Sequence, residues 1–151
     1  DPTTTIATLA TLDADEGDTN NLTITIREED KTSTTAEQLN TVSAATSLGV
    51  NLTNLEALAA STVDDLEDLF TAMDDGSFTN FSDIATIAVS GATVDATNVL
   101  SLVDSFDILN GDNTTAFSLA SEATIEIDAD EVVNLKLSKE ICNRINCKYH
   151  N

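Results

Sequence analysis

The feature that most constrains this chain is the alternation of two hydrophobic periods through its middle. Leu22, Ile24 and Ile26 alternate with Thr23 and Thr25, the two-residue period of a strand with one buried face. A helical stretch follows, in which Thr34-Thr35-Ala36-Glu37 reads as a capping box and Leu39, Val42 and Ala45 share a face, predicting a helix over residues 35–46. A second helix opens at Thr62-Val63-Asp64-Asp65, carries the stripe Val63, Leu66, Leu69, Phe70 and Met73, and stops at Asp75-Gly76. The third is capped by Thr93 or Asp95, presents Val99, Leu102, Val103 and Phe106, and ends at Asn110-Gly111. Short strand signals lie between them at Val50-Asn51-Leu52, at Ile87 and Val89, and at Phe117-Ser118-Leu119. Each stripe is narrow and needs a sheet to cover it, so this order favours parallel βα units.

The pattern also returns on itself. Thr35 to Val42 lies over Asp95 to Leu102 at an offset of sixty, and Leu55-Glu56-Ala57-Leu58-Ala59 roughly matches Phe117-Ser118-Leu119-Ala120, so a period near sixty, divisible into halves near thirty, is expected. Near the end, Ile125 and Ile127 alternate with Glu126 and Asp128, and Val133, Leu135 and Leu137 form a second run, a hairpin with Ala129-Asp130-Glu131 at its turn. The expected fold is therefore α/β: a strand-and-helix, solenoid-like repeat module with a C-terminal β-hairpin cap, with an α+β arrangement around a mixed sheet as the alternative. The expected divisions are a Thr-rich N-terminal arm over residues 1–21, a βα repeat core over 22–121, and a hairpin and disulfide cap over 122–151.

Charge narrows the function. Among 151 residues, 27 Asp and Glu oppose 6 Lys and Arg, a net charge of -21 that repels nucleic acid and anionic headgroups. No apolar run approaches the roughly 18 residues that a membrane span requires, so no membrane insertion is expected. A lone histidine, His150, cannot anchor a Ser or Cys triad so near the chain end, and no glycine pattern matches a phosphate-cradling loop. The chain is expected not to be an enzyme. Asp1 in place of Met fits an exported, processed chain and equally a piece of a longer one.

Several motifs fit an extracellular setting. Cys142 and Cys147 are spaced for a small disulfide loop, and a zinc site would need two further ligands where only His150 is at hand. Sequons occur at Asn21, Asn51, Asn80 and Asn113. Asp13, Asp15 and Asp18 alternate around Gly17 in the manner of a calcium loop without the full EF-hand pattern; Asp74-Asp75-Gly76 and Asp128 to Glu131 are weaker versions, all of which also read as solvated acidic turns. Lys136, Lys139, Arg144 and Lys148 give the last sixteen positions a charge of +3 against -24 on the rest, which predicts either a cap paired to its own acidic body or head-to-tail association with a neighbour. Ile6 and Leu9 sit in the Thr-rich arm, which can add a strand to its own sheet or to a neighbour's edge.

The runs Leu-Thr-Ile-Thr-Ile (22–26), Thr-Thr-Ala-Glu-Gln-Leu-Asn-Thr-Val-Ser-Ala-Ala-Thr-Ser (34–47), Ser-Thr-Val-Asp-Asp-Leu-Glu-Asp-Leu-Phe (61–70) and Ile-Ala-Val-Ser-Gly-Ala-Thr-Val-Asp-Ala-Thr-Asn-Val-Leu (87–100) resemble the repeats of giant acidic cell-surface, adhesin-like proteins of marine cyanobacteria and related bacteria. The resemblance covers about residues 22–106 and is one of texture, carrying no functional residue across. It implies a cell-surface, adhesive or fibrous role. The expected function is an extracellular structural module of a filament, surface layer or large adhesin, partnered by copies of itself or neighbouring repeats. The competing reading is a calcium-dependent adhesive module that binds surface glycans.

Overall fold

The computed structural model describes residues 21–111, 114–121 and 123–126. Among these residues three α-helices, α1 (Ala36–Ala44), α2 (Val63–Asp74) and α3 (Ala96–Asn110), alternate with seven short strands. These are β1 (Val50–Asn51), β2 (Ala57–Ser61), β3 (Phe78–Thr79), β4 (Thr86–Val89), β5 (Thr93–Asp95), β6 (Ala116–Leu119) and β7 (Thr124–Glu126). Among the described residues the architecture is mixed α/β with parallel sheets and no closed barrel. Strand orders are β1-β3, β2-β4-β6 and β5-β7, and every pairing among the described residues is parallel, which leaves the mixed-sheet alternative without an antiparallel pair.

Register sets the spacing. Ala57 lies beside Thr86 and Thr86 beside Ala116, 29 and 30 residues apart, while an isolated bridge joins Thr25 to Asn51. In-register neighbours superpose like side chains: Leu58, Ile87 and Phe117 form one buried row and Ile24, Val50 and Phe78 a second. Against these rows the helices lay their stripes, Leu39 and Val42 of α1, Leu66, Leu69, Phe70 and Met73 of α2, and Val99, Leu102, Val103 and Phe106 of α3. Phe106 is fully buried, with its ring centroid 5.1 Å from Phe70 and 6.4 Å from Phe117, so it ties helix to helix and helix to sheet.

Helix ends follow local chemistry. Thr62 caps α2 by accepting from Asp65 N, and the helix stops where Gly76, at φ 82°, lets its own N–H and that of Ser77 reach Met73 O and Ala72 O. The capping box of α1 lies one residue later than expected, with Thr35 as the cap and Gln38, not Glu37, answering it. Thr34 is unavailable for that role, since it is buried and its hydroxyl donates to Asp30 O. Asp95, rather than Thr93, caps α3; Thr93 is in β5. The expected C-terminal hairpin is not seen: Ile125 belongs to β7, which pairs parallel with β5, and residues 127–151 lie outside the described residues.

Two outcomes test this packing. Phe106→Ala should cost about 3–5 kcal/mol in urea unfolding, because three elements lose a shared partner at once; a loss below about 1 kcal/mol would contradict the shared aromatic contact. Asp95 accepts from the Thr97 hydroxyl and from Thr97 N and Asn98 N, and these bonds, the hydroxyl's foremost, hold its carboxyl below the ordinary carboxylate pKa. A depressed folded pKa means that its contribution is present above the unfolded pKa of about 3.9 and disappears as pH falls through the folded value. Asp95→Asn, which keeps a capping oxygen, should flatten the loss of stability on acidification below about pH 4; midpoints that fall equally steeply in both proteins would remove Asp95 from that transition.

Candidate functional site

The two ends of the sheet stack differ. At the first end an irregular segment covers β2: Lys31 O accepts from Glu56 N and Ala57 N, and Thr34 O from Ala59 N. Ion pairs hold this cover in place. Arg27 meets Glu29 at 3.0 Å and Asp30 at 3.1 Å, and Lys31 meets Glu28 and Glu56, each at 2.9 Å. The Lys31 pKa is raised, foremost by its hydrogen bond to Glu28. At the other end β6 is the outer strand. Ala116 N and Ala120 N donate to Ala85 O and Val89 O, so in a parallel ladder the N–H groups of Phe117 and Leu119 face outward. Among the described residues nothing pairs with that edge, nor with the outer edge of β7.

A groove of about 470 Å³ runs between α2 and α3. Phe70, Leu102 and Leu109 form its apolar floor, Glu67 and Asp74 flank one side, and Ser101, Ser105 and Ile108 the other. Ile108 is 82% exposed, far more than any other large apolar side chain described. Neither helix contains Lys or Arg, so every charge that these two helices bring to the groove is negative. A helical stripe gave no sign of this site, because the interior positions of α2 and α3 read as ordinary core; the signal available was Ile108 breaking the polar face.

The structure brings two of the predicted sequons together. Asn80 Nδ2 donates to Asn51 Oδ1 at 3.1 Å, and the same oxygen accepts from Thr53 N at 3.0 Å. Asn80 adopts a left-handed φ of 58° directly after Thr79, the partner of Asn51. Asn21 is separate: it is exposed and bonded to Ser47, before the position where Thr25 pairs with Asn51. Asp74-Asp75-Gly76 is the helix stop described above, and among the described residues no three His, Cys, Asp or Glu side chains are grouped as a metal would require. Asp13, Asp15, Asp18, Ile6, Leu9, Asn113, Cys142, Cys147, Lys136, Lys139, Arg144, Lys148 and the Asp128 to Glu131 turn all lie outside the described residues. Among the described residues no helix is long and apolar enough to cross a membrane.

Compared with known proteins, the chain matches no family model, no curated protein and no solved structure.

The left-handed Asn80 gives a direct test of the loop. Asn80→Gly should be more stable than Asn80→Ala by about 1 kcal/mol, and Asn80→Val should cost about 1–2 kcal/mol more than Asn80→Gly, since all three lose the bond to Asn51 and the left-handed backbone favours Gly. Equal unfolding midpoints for Gly and Val would show that the loop does not hold that conformation in solution.

Proposed function

We propose that this chain is an extracellular structural module of a filament, surface layer or large adhesin, in which strand-and-helix units stack in the manner of a solenoid and the stack is continued by another copy or a neighbouring repeat. The observation that carries this reading is the contrast between the two ends of the sheet. One end is closed by an irregular, ion-paired segment, while among the described residues the other ends on a regular strand with N–H groups directed outward, the template on which a further parallel strand grows. In repeat stacks, each unit buries its apolar face against its neighbours, so extension needs no new kind of contact. A contact between unlike ends does not close on itself and yields an open fibre.

An acidic surface keeps such a polymer hydrated and opposes lateral clumping. Exposed sequons at Asn21 and Asn80 fit display of glycans, whereas Asn51 is half-buried. No catalytic or cofactor role is part of this reading.

Electron microscopy and sedimentation velocity of the purified chain should show ordered, concentration-dependent filaments. Leu119→Pro removes one outward N–H from β6 while leaving the bonds of Ala116 and Ala120 to their inner neighbours, so it should halt growth without loss of helical circular dichroism. Dispersed monomers at every concentration, or filaments unaffected by the substitution, would sink the edge-pairing reading.

A further inference from the structure

We propose that the groove between α2 and α3 is the docking site for the chain's own basic C-terminal segment, residues 136–148. Three observations converge on this occupant. The groove combines an apolar floor with the Glu67 and Asp74 carboxylates, and Ile108 projects beside it with 82% exposure, so a fitting ligand alternates cationic and apolar side chains. Residues 136–148 do so: Lys136, Lys139, Arg144 and Lys148 are interleaved with Ile141 and Ile145. The remaining basic residues, Arg27 and Lys31, are held in ion pairs at the far end of the stack, so the C-terminal segment is the chain's reservoir of positive charge.

The path is short enough. Glu126 pairs with Asp95, the N-cap of α3, and Ile108 lies roughly 20 Å further along that helix at about 1.5 Å per residue. The nine residues from 127 to 135 span up to about 30 Å when extended. A tethered ligand that reaches its site faces an effective concentration near the millimolar range, which favours docking within one chain over capture by a neighbour. Docking also covers the apolar surface of Ile108 and places cations beside carboxylates that have none within their own helices.

This inference does not rest on the filament reading, and the test keeps the two apart. The full-length chain is digested with limiting trypsin beside the variant Glu67→Gln/Asp74→Asn/Ile108→Ser, whose three altered side chains are exposed and whose changes add no cleavage site. Cleavage after Lys136, Lys139 and Arg144 should accelerate roughly tenfold in the variant, as the undocked population rises, while cleavage after Arg27 and Lys31 serves as the internal reference and stays constant. Equal rates at the C-terminal sites would overturn the proposal. In a second arm, a one-to-one mixture of ¹⁴N- and ¹⁵N-labelled chains is treated with a carbodiimide, and Lys136, Lys139 or Lys148 should be joined to Glu67 or Asp74 in peptides of a single isotope. Peptides of mixed isotope would overturn docking within the chain and assign the contact to a neighbour; absence of links to either carboxylate would overturn the site itself.

Discussion

The structure depends on the in-register parallel stacking that sets Leu58, Ile87 and Phe117 one above another. Each short strand buries little by itself, and none of the seven would persist in isolation. In register, however, the inward side chains form a continuous apolar row that the helices cover from one side. Phe106 and Phe70 join that row to the helix layer, so the sheet fixes how α2 and α3 sit and thereby shapes the groove between them. A shift of one residue would turn the row outward, which makes register the constraint that packing enforces most strongly.

A second tie runs through the irregularity in β2. The pairing of β2 with β4 shifts between Leu58 and Ser61, and the shift turns the Ser61 hydroxyl inward. Its oxygen accepts from Ala36 N at 2.9 Å and donates to Ala59 O at 2.8 Å, satisfying one of the free N–H groups at the start of α1. Asn54 acts similarly, donating to Ile26 O at 2.7 Å, and Asn80 to Asn51. Polar side chains therefore bridge successive passes of the chain wherever the backbone ladder is too short to do so alone.

The helices were legible because their signals are local. Thr62, the α2 stripe and Asp75-Gly76 can be read within a few residues, while α1 is capped one residue later than expected, with Thr34 drawn to Asp30, and ends at Ala44 rather than near Thr46. The sheet was less legible. Ala57-Leu58-Ala59-Ala60-Ser61 is rich in Ala, a residue depleted in strands, and does not alternate, yet it forms β2 because β4 offers a ladder on one side and Lys31 O and Thr34 O accept from it on the other. β5 was hidden because Thr93 and Asp95 also look like caps. The offset of sixty aligned Thr35 with Asp95, and both are indeed N-caps, but the rougher strand match set Leu55 rather than Leu58 against Phe117, since no local rule fixes register between distant strands. The groove left one trace in the sequence, Ile108 on an otherwise polar face, because its shape requires two stripes to meet at a particular angle.

Charge placement on α2 separates structural need from another demand. Asp64 and Asp65 occupy the first turn, where the helix dipole favours them. Asp74 sits in the last turn and Asp75 at the C-cap, beside the negative end of the dipole, and Asp64, Glu67 and Asp68 crowd like charges at i, i+3 and i, i+4 spacing. No Lys or Arg in the helix offsets them. Helix stability alone would favour a cation at position 74, and the Gly76 stop would work equally well with one. A carboxylate kept in that position, on the wall of an apolar groove, is a local choice that disagrees with the helix carrying it, and such disagreements are expected where a surface answers to a ligand rather than to its own fold. An approaching basic chain reverses the balance at that helix end, because a cation beside Asp74 is attracted both by the carboxylate and by the carbonyls of the last turn. The acidity that burdens α2 alone becomes favourable once the groove is occupied.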